Sequence, residues 1–280
     1  MKMNESIVSL YEKRKITWLS FALATVFLFF LFLTVFLPVR KNLKYQEFLS
    51  SVPSAEEVSD LQVFLRHDST LAFMAPDSYS FVILGDKTVA NSLKTFAVGG
   101  NTLHALFMPA DTPSMQETVL AALDLGLHIR TLYVPKRTDK TFLEAYRTKN
   151  PNGEIIKVSG GEYRLFKDCA VYLLGCKTSL SLTVEHGDNT FLYSYQENVG
   201  SLFKRKEAAA CFMPYENLIE SKLDVTYAFF PEADFNIEDL AKHADKYVPE
   251  YTSFDLYCLS DGTELLFDTG SYVTGRLQGE

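Results

Sequence analysis

The chain has 280 residues, of which 47% are hydrophobic and 14% aromatic, a composition that excludes a disordered protein and suffices for a large hydrophobic core. Residues 1–44 carry seven of the 27 basic side chains and two of the 35 acidic ones, so residues 45–280 have a net charge of −13. A surface that neutralises phosphates needs the opposite charge. Direct nucleic-acid binding is therefore not expected.

Residues 16–37 form an apolar run that contains six phenylalanines and no charge. A helix of this length rises about 33 Å, enough to cross the hydrocarbon core of a bilayer. The apolar region of a cleaved signal peptide is shorter, about 7–15 residues. The sequence predicts an uncleaved transmembrane signal anchor over 16–37, after a short tail at 1–15 and before a juxtamembrane linker at 38–57.

Basic residues flank this segment on both sides, and "KRK" at 13–15 stands directly before it. Because cytoplasmic flanks are rich in Lys and Arg, we expect the tail inside the cell and the rest of the chain outside the cell membrane. Such a location tolerates disulfides. The four cysteines lack metal-type spacing and are read as buried thiols in preference to a disulfide. They are Cys169, Cys176, Cys211 and Cys258.

Strands and helices alternate along the chain after the linker. We predict short strands in "LQVFLRHDSTLAFMAPDSYSFVILGD", a helix in "KTVANSLKTFAV" and a strand in "NTLHALFM". A helix in "PSMQETVLAALDLGL" should begin near Pro113, because proline favours the first helical turn, and "IRTLYVP" should form the next strand. This alternation is typical of α/β layering.

The second half of the chain is richer in predicted strands. "EIIKVSGGEYRLFKDCAVYLLGC" and "SLSLTVEHGDNTFLYSYQ" alternate in the manner of hairpins, the second turning at "HGDN". A helix is predicted around residues 199–210, then a strand in "DVTYAFFP", a helix in "NIEDLAKHADKY" and a closing hairpin that turns at Asp261–Gly262. One α/β domain over residues 58–280 accounts for this pattern.

The order of five segments resembles the metallo-β-lactamase fold, and within it the extracellular ComEC-like branch associated with competence proteins. "QVFLRHDSTLAF" is similar to the opening D-V-G-Q-G-D-S strand of that branch and retains Asp68 and Ser69. "SFVILGD" is similar to its next strand, "HALFMPADTPSMQETVLAALDLGLHIRTLYVP" to its T-H-P-D-A-D-H-I-G-G segment, and "SLSLTVEHGDNTFLYSYQEN" and "FDLYCLSDGTELLFDTG" to its last two segments. The resemblance implies a four-layer αββα sandwich preceded by one transmembrane helix.

Members of that family use two divalent metals to activate a water, which requires imidazole and carboxylate ligands. The resemblance assigns a later aspartate ligand to Gln196 and a histidine-rich segment to residues 229–233. A slip of one residue would bring in Asp111 but no histidine. The sequence therefore predicts a degenerate site without its metal-binding motif, and no cofactor. The positions of the first ligand motif fall on residues that are poor zinc ligands, namely Met108, Ala110, Thr112 and Pro113.

The remaining metal-binding side chains leave one alternative open. No two of the five histidines have an H-x-H or H-x₃-H spacing, so each is expected to be an ordinary surface or core residue; they are His67, His104, His128, His186 and His243. The resemblance implies that the loops of Asp68, Asp86 and Asp111 converge at the mouth of the fold. Three carboxylates without histidine would suit Ca²⁺ or Mg²⁺.

Motifs of other enzyme classes, such as G-x-S-x-G or a phosphate-binding loop, are absent from the sequence. We therefore expect a membrane-anchored, catalytically inactive domain that acts as an extracytoplasmic binding module for an unknown protein or small-molecule partner. The alternatives are a membrane-anchored phosphodiesterase or nuclease with a carboxylate metal site, and a different α/β or structural domain. The vestigial mouth is the predicted contact surface, lined by Met108, Asp111, Thr112, Gln196, Phe229 and Phe230.

Overall fold

The structure is a computed structural model that describes residues 18, 23–30, 32, 59–75, 79–99, 101–158, 161–163 (backbone only), 169–175, 178–195, 207–251 and 255–267. Two compact units divide the chain after Ser50. In the first unit, residues 23–30 are helical and exposed. No helix within the described ranges has both the length and the apolarity to cross a membrane. The predicted segment 16–37 lies largely outside the described residues, and the tail 1–15 and linker 38–57 lie wholly outside them.

The second unit contains two β-sheets. Strands of the first are β1 Leu61–Leu65, β2 Leu71–Met74, β3 Ser80–Ile83, β4 Thr102–Phe107, β5 His128–Pro135, β6 Glu154–Val158, β14 Leu256–Ser260 and β15 Leu265–Phe267. Their order across the sheet is β15-β14-β1-β2-β3-β4-β5-β6. Strands β3 to β6 are parallel, whereas the pairs from β15 to β3 are antiparallel.

Strands of the second sheet are β7 Gly161–Tyr163, β8 Ala170–Gly175, β9 Leu180–His186, β10 Asn189–Ser194, β11 Glu207–Phe212, β12 Asp224–Phe229 and β13 Ala244–Val248. They lie in the order β13-β12-β11-β10-β9-β8-β7. Strands β10 to β13 are parallel and β7 to β10 antiparallel. The predicted hairpin at "HGDN" is confirmed, and Gly187 in its turn has φ 58°, a conformation that favours glycine.

Among the described residues of the second unit, the helices are α1 Ala90–Lys94, α2 Pro113–Asp124, α3 Lys140–Lys149, α4 Tyr215–Ser221 and α5 Ile237–Leu240. Helix α2 begins where the sequence predicts, because Thr112 caps it through a bond from the Met115 N–H and Pro113 occupies its first position. Asp139 caps α3 in the same way by accepting from the Phe142 N–H.

Three buried clusters separate the layers. The first fills the space between the sheets, with Phe73 and Phe81 from one and Phe191 and Phe229 from the other. A second joins β4 and β5 to helices α1 to α3, and a third joins β10 and β12 to α4 and α5. The layers are therefore helix, sheet, sheet, helix, which is the αββα arrangement that the family resemblance implies.

Two helix predictions are wrong. Residues 207–210 belong to β11, and residues 199–206 lie outside the described residues. In "NIEDLAKHADKY" only Ile237–Leu240 is helical, and the chain then enters β13. Strand β13 pairs in parallel with β12, and it buries Tyr247 in the cluster beneath α4 and α5 and Val248 between the sheets. Tertiary pairing therefore outweighs the local helical pattern.

The segment around "EIIKVSGGEY" also departs from the prediction. It does not form a hairpin, because β6 pairs with β5 in the first sheet whereas β7 pairs with β8 in the second. Cys169, Cys211 and Cys258 are buried thiols, as expected, and Cys176 lies outside the described residues.

Candidate functional site

Loops from both sheets meet at one end of the sandwich. The turn after β1 brings Ser69, the loop after β3 brings Asp86, and the end of β10 brings Tyr195. The segments after β12 and β13 add Glu232 and Tyr251. These five residues are called the mouth cluster below. The turn of Ser69 and the loop of Asp86 are two of the three loops that the sequence resemblance assigns to the mouth, and two of the five residues of the cluster are tyrosines.

The shortest contact in the mouth cluster joins the two sheets. The hydroxyl of half-buried Tyr195 donates a hydrogen bond to Oδ1 of exposed Asp86 at 2.6 Å. Burial raises the pKa of Tyr195, and the hydrogen bond and negative charge of Asp86 raise it further. Tyr195 is therefore a neutral hydroxyl donor at physiological pH, and Asp86 is its acceptor.

Tyr251 brings a second hydroxyl to the cluster, where it lies near the side chain of Ser69. Burial is the main cause that raises the pKa of Tyr251, and the negative charges of Glu232 and Asp86 raise it further. The interaction with Ser69 lowers this pKa in part. Tyr193 lies buried in the adjacent core, and burial followed by its interactions with Tyr251 and Tyr195 raises its pKa well above the ordinary value. Neutral phenols thus lie beside two carboxylates.

A network of backbone and hydroxyl groups fixes the loop of Asp86. The Gly85 N–H donates to Thr88 Oγ1 at 2.8 Å, and Ser114 Oγ at the start of α2 donates to the Asp86 carbonyl at 3.0 Å. Ser69 has φ 65°, and a Cβ placed on Gly85 would overlap the Cβ and carbonyl of Ser69. Glycine at position 85 is therefore what allows the turn after β1 and the loop after β3 to approach each other.

Three residues of the predicted contact surface are core residues. Met108, Phe229 and Phe230 have exposed fractions of 0%, 1% and 1%. They also belong to three different clusters: Met108 packs under the helices of the first sheet, Phe229 packs between the sheets, and Phe230 packs under the helices of the second sheet. The expectation that they line one exposed surface is wrong, because the ends of β4 and β12 continue into the buried layers.

The polar residues predicted for the mouth have local structural partners. Asp111 accepts a hydrogen bond from Gln116 Nε2 at 2.7 Å through Oδ1 and from the Asp139 N–H at 2.8 Å through Oδ2, which ties the loop after β4 to the start of α3. Thr112 caps α2. Asp68 is buried, and its Oδ1 accepts from the Thr70 N–H at 3.1 Å. Gln196 lies outside the described residues.

The described residues of the mouth do not supply the donors of a zinc pair. Zinc requires imidazole, thiolate or carboxylate ligands in one small sphere. Within the described ranges, no three His, Cys, Asp or Glu side chains are arranged to hold a metal ion. His186 contacts Ser260 Oγ at 2.8 Å and the Ser59 carbonyl at 2.7 Å, and His128 contacts Asn150 Oδ1 at 2.7 Å. These two histidines thus hold the framework of the fold and are not directed at Asp86.

No family model matches the chain, and no curated protein matches it. Among solved structures, it is similar to the metallo-β-lactamase fold protein YhfI from Bacillus subtilis, with 12% identity, a TM-score of 0.45, and coverage of 70% of this chain and 93% of YhfI. It is also similar to Zn²⁺-bound PqqB from Methylobacterium extorquens, with 12% identity and a TM-score of 0.38. That match covers 52% of this chain and 59% of the length of PqqB.

Proposed function

We propose that this chain is a membrane-anchored, extracytoplasmic binding module with a degenerate metallo-β-lactamase-like sandwich of the ComEC-like type, and that the mouth cluster binds its ligand without a metal. The observation that carries the proposal is the hydrogen bond from Tyr195 to Asp86. It places a neutral hydroxyl against the carboxylate that follows β3, one of the three carboxylates that a Ca²⁺ or Mg²⁺ site at this mouth would use.

The chemistry of the mouth cluster suits recognition of a polar group. The raised pKa of Tyr195 and Tyr251 keeps both phenols protonated; Tyr195 donates to Asp86 and its oxygen can accept, whereas Tyr251 offers a hydroxyl near Asp86 and Glu232. Donors and acceptors placed together on loops that rigid strands support can bind a ligand by hydrogen bonds. Glu232 is itself held in place, because its Oε2 accepts from the Tyr215 N–H at 3.1 Å.

A thermal-shift screen of small polar compounds tests this proposal on the full-length chain in detergent. We expect compounds that raise the unfolding temperature of the native protein to lose this effect in Asp86→Asn and Tyr251→Phe. They should keep it in Tyr215→Phe, a matched control whose hydroxyl contacts Asn236 outside the mouth. Stabilisation that needs a divalent cation, together with hydrolysis of a chromogenic phosphodiester that a chelator abolishes, would instead support the hydrolase alternative.

The membrane anchor is a separate part of the proposal and rests on the apolar run at residues 16–37. A reporter fused to the carboxyl end distinguishes the two orientations. We expect activity from a reporter that works only outside the cytoplasm. Activity from a cytoplasmic reporter alone would reverse the proposed topology, and release of the chain from membranes by a salt wash would contradict the anchor.

A further inference from the structure

A groove of about 220 Å³ lies against the first sheet, where β1 and β14 meet the end of α1. Its residues are distinct from those of the mouth cluster, so a ligand there would be independent of the function proposed above. One end of the groove is apolar and the other carries charged groups. This division is typical of sites that bind a small molecule in one orientation.

The apolar end is formed largely by aromatic rings. The ring of Phe64 lies 5.7 Å from that of Phe96 and 4.9 Å from that of Tyr257, and Met74 and Leu256 complete the walls. A dry apolar cavity of about 150 Å³ in another protein holds benzene. The groove is therefore large enough for one six-membered ring with one small substituent, and its ring walls offer edge and face contacts to such a ring.

The charged end pairs a donor with an acceptor. Arg66 uses Nη1 to donate to Thr95 Oγ1 at 3.2 Å, whereas its buried Nε has no partner. Arg66 Nη2 lies 3.9 Å from Oδ2 of Asp255, which is too far for a hydrogen bond. Asp255 accepts from the backbone N–H of His67 at 2.8 Å and contacts its Nδ1 at 2.7 Å, in both cases through Oδ1. Arg66 Nη2 and Asp255 Oδ2 thus lie near each other without forming a hydrogen bond to each other.

We propose that this groove binds a small aromatic carboxamide. The ring packs against the aromatic wall formed by Phe64, Phe96 and Tyr257. The carboxamide lies alongside Arg66 Nη2 and Asp255 Oδ2 and contacts both. Its carbonyl oxygen accepts from the guanidinium, and its N–H donates to Asp255 Oδ2. A primary amide carries an acceptor and a donor side by side, which matches the two unused groups.

The charges of the two residues distinguish this ligand from its ionic analogues. Burial would raise the pKa of Asp255, but the hydrogen bonds from His67 and the nearby positive charge of Arg66 lower it, so this carboxyl is ionised at neutral pH. An aromatic carboxylate is attracted by Arg66 and repelled by Asp255. An aromatic ammonium is attracted by Asp255 and repelled by Arg66. A neutral amide satisfies both groups without either repulsion.

Titration of the full-length chain in detergent with benzamide, benzoate and benzylamine tests the proposal, and ligand-observed NMR measures each dissociation constant. We expect benzamide to bind about tenfold more tightly than benzoate or benzylamine, as the loss of one charged hydrogen bond would predict. Arg66→Met in the same detergent should weaken benzamide binding by a similar factor. Ile237→Ala, a change at an exposed site in α5, should not alter it.

Asp255→Asn provides a test that does not depend on the stability of the Arg66 variant. Its side chain is 56% exposed, so the change should be tolerated by the fold. Because the amide of asparagine removes the negative charge and supplies a donor, benzoate should become the tighter ligand and the order of the two should reverse. Equal affinities for all three probes in the native chain, or an unchanged order in Asp255→Asn, would overturn the proposal.

Discussion

Tyr195 and Asp86 join the two sheets at the mouth of the sandwich by a hydrogen bond of 2.6 Å. Tyr195 follows β10 of the second sheet and Asp86 follows β3 of the first, so their bond links segments that are 109 residues apart in sequence. The hydroxyl of Tyr195 therefore connects the part of the mouth formed by the first sheet to the part formed by the second. The consequences for stability and for ligand binding can be measured separately.

The energetic link between these two residues is testable by a double-mutant cycle. Tyr195→Phe should lower the free energy of unfolding by about 1 kcal/mol, because the bond is partly exposed to water. The cycle with Asp86→Ala should give a coupling energy of about 0.5–2 kcal/mol from denaturant unfolding. Tyr215→Phe should be additive with Asp86→Ala, since its hydroxyl bonds to Asn236 instead. Additive effects for both pairs would show that the Tyr195–Asp86 contact does not form in solution.

Because Phe230 is buried, we expect it to stabilise the core and not to contact a ligand or partner. Phe230→Ala should lower the free energy of unfolding by about 3–5 kcal/mol, because it leaves a cavity beneath α4 and α5. Ile237→Ala removes an apolar side chain that is 53% exposed and should cost less than about 1 kcal/mol. Equal, small losses for both variants in urea unfolding would restore Phe230 to an exposed contact surface.

Asp111 stabilises the start of α3 and is not expected to bind a cation. Asp111→Ala should lower the free energy of unfolding by about 1–3 kcal/mol, because it removes the acceptor of both Gln116 Nε2 and the Asp139 N–H. The loss should be the same with and without Ca²⁺ or Mg²⁺ in the buffer. A native protein that these ions stabilise, and an Asp111→Ala variant that they do not, would indicate the carboxylate metal site considered from the sequence.

The hydrogen bonds between His67 and Asp255 make the stability of the folded chain depend on pH. Because the pKa of Asp255 is lowered in the folded chain, its stabilising effect is present above the unfolded pKa of about 3.9 and is lost as the pH falls through the folded value. The difference in unfolding temperature between the native chain and Asp255→Asn should therefore be larger at pH 6 than at pH 3. A difference that grows as the pH falls below 4 would have the wrong sign for this account.

The alternation of strands and helices predicted α/β layering, and the family resemblance implied its four layers. The local patterns failed where pairing between distant segments determines the structure. "ADKYV" has the spacing of a helix, yet its position beside β12 makes it the edge strand β13. Helices α3 and α4 were not predicted, although Asp139 before α3 and Pro214 before α4 are residues typical of helix starts.

Only part of the candidate site could be predicted from the sequence. Asp86 was identified as a mouth residue, but Tyr195, Glu232 and Tyr251 were missed. The alternation in "YSYQ" places Tyr193 and Tyr195 on the same side of their segment, a signal that was available. The approach of Tyr251 to Ser69 depends on the parallel order β10 to β13, which local patterns do not specify.

The most direct test of a mouth that works without metal is the zinc and manganese content of the full-length protein. The protein should be purified in a non-ionic detergent from cells grown with both metals, and its metal content measured by elemental mass spectrometry. We predict far less than one bound ion per chain and an unfolding temperature that a chelator does not change. One or two ions per chain, with a lower unfolding temperature after chelation, would contradict the account.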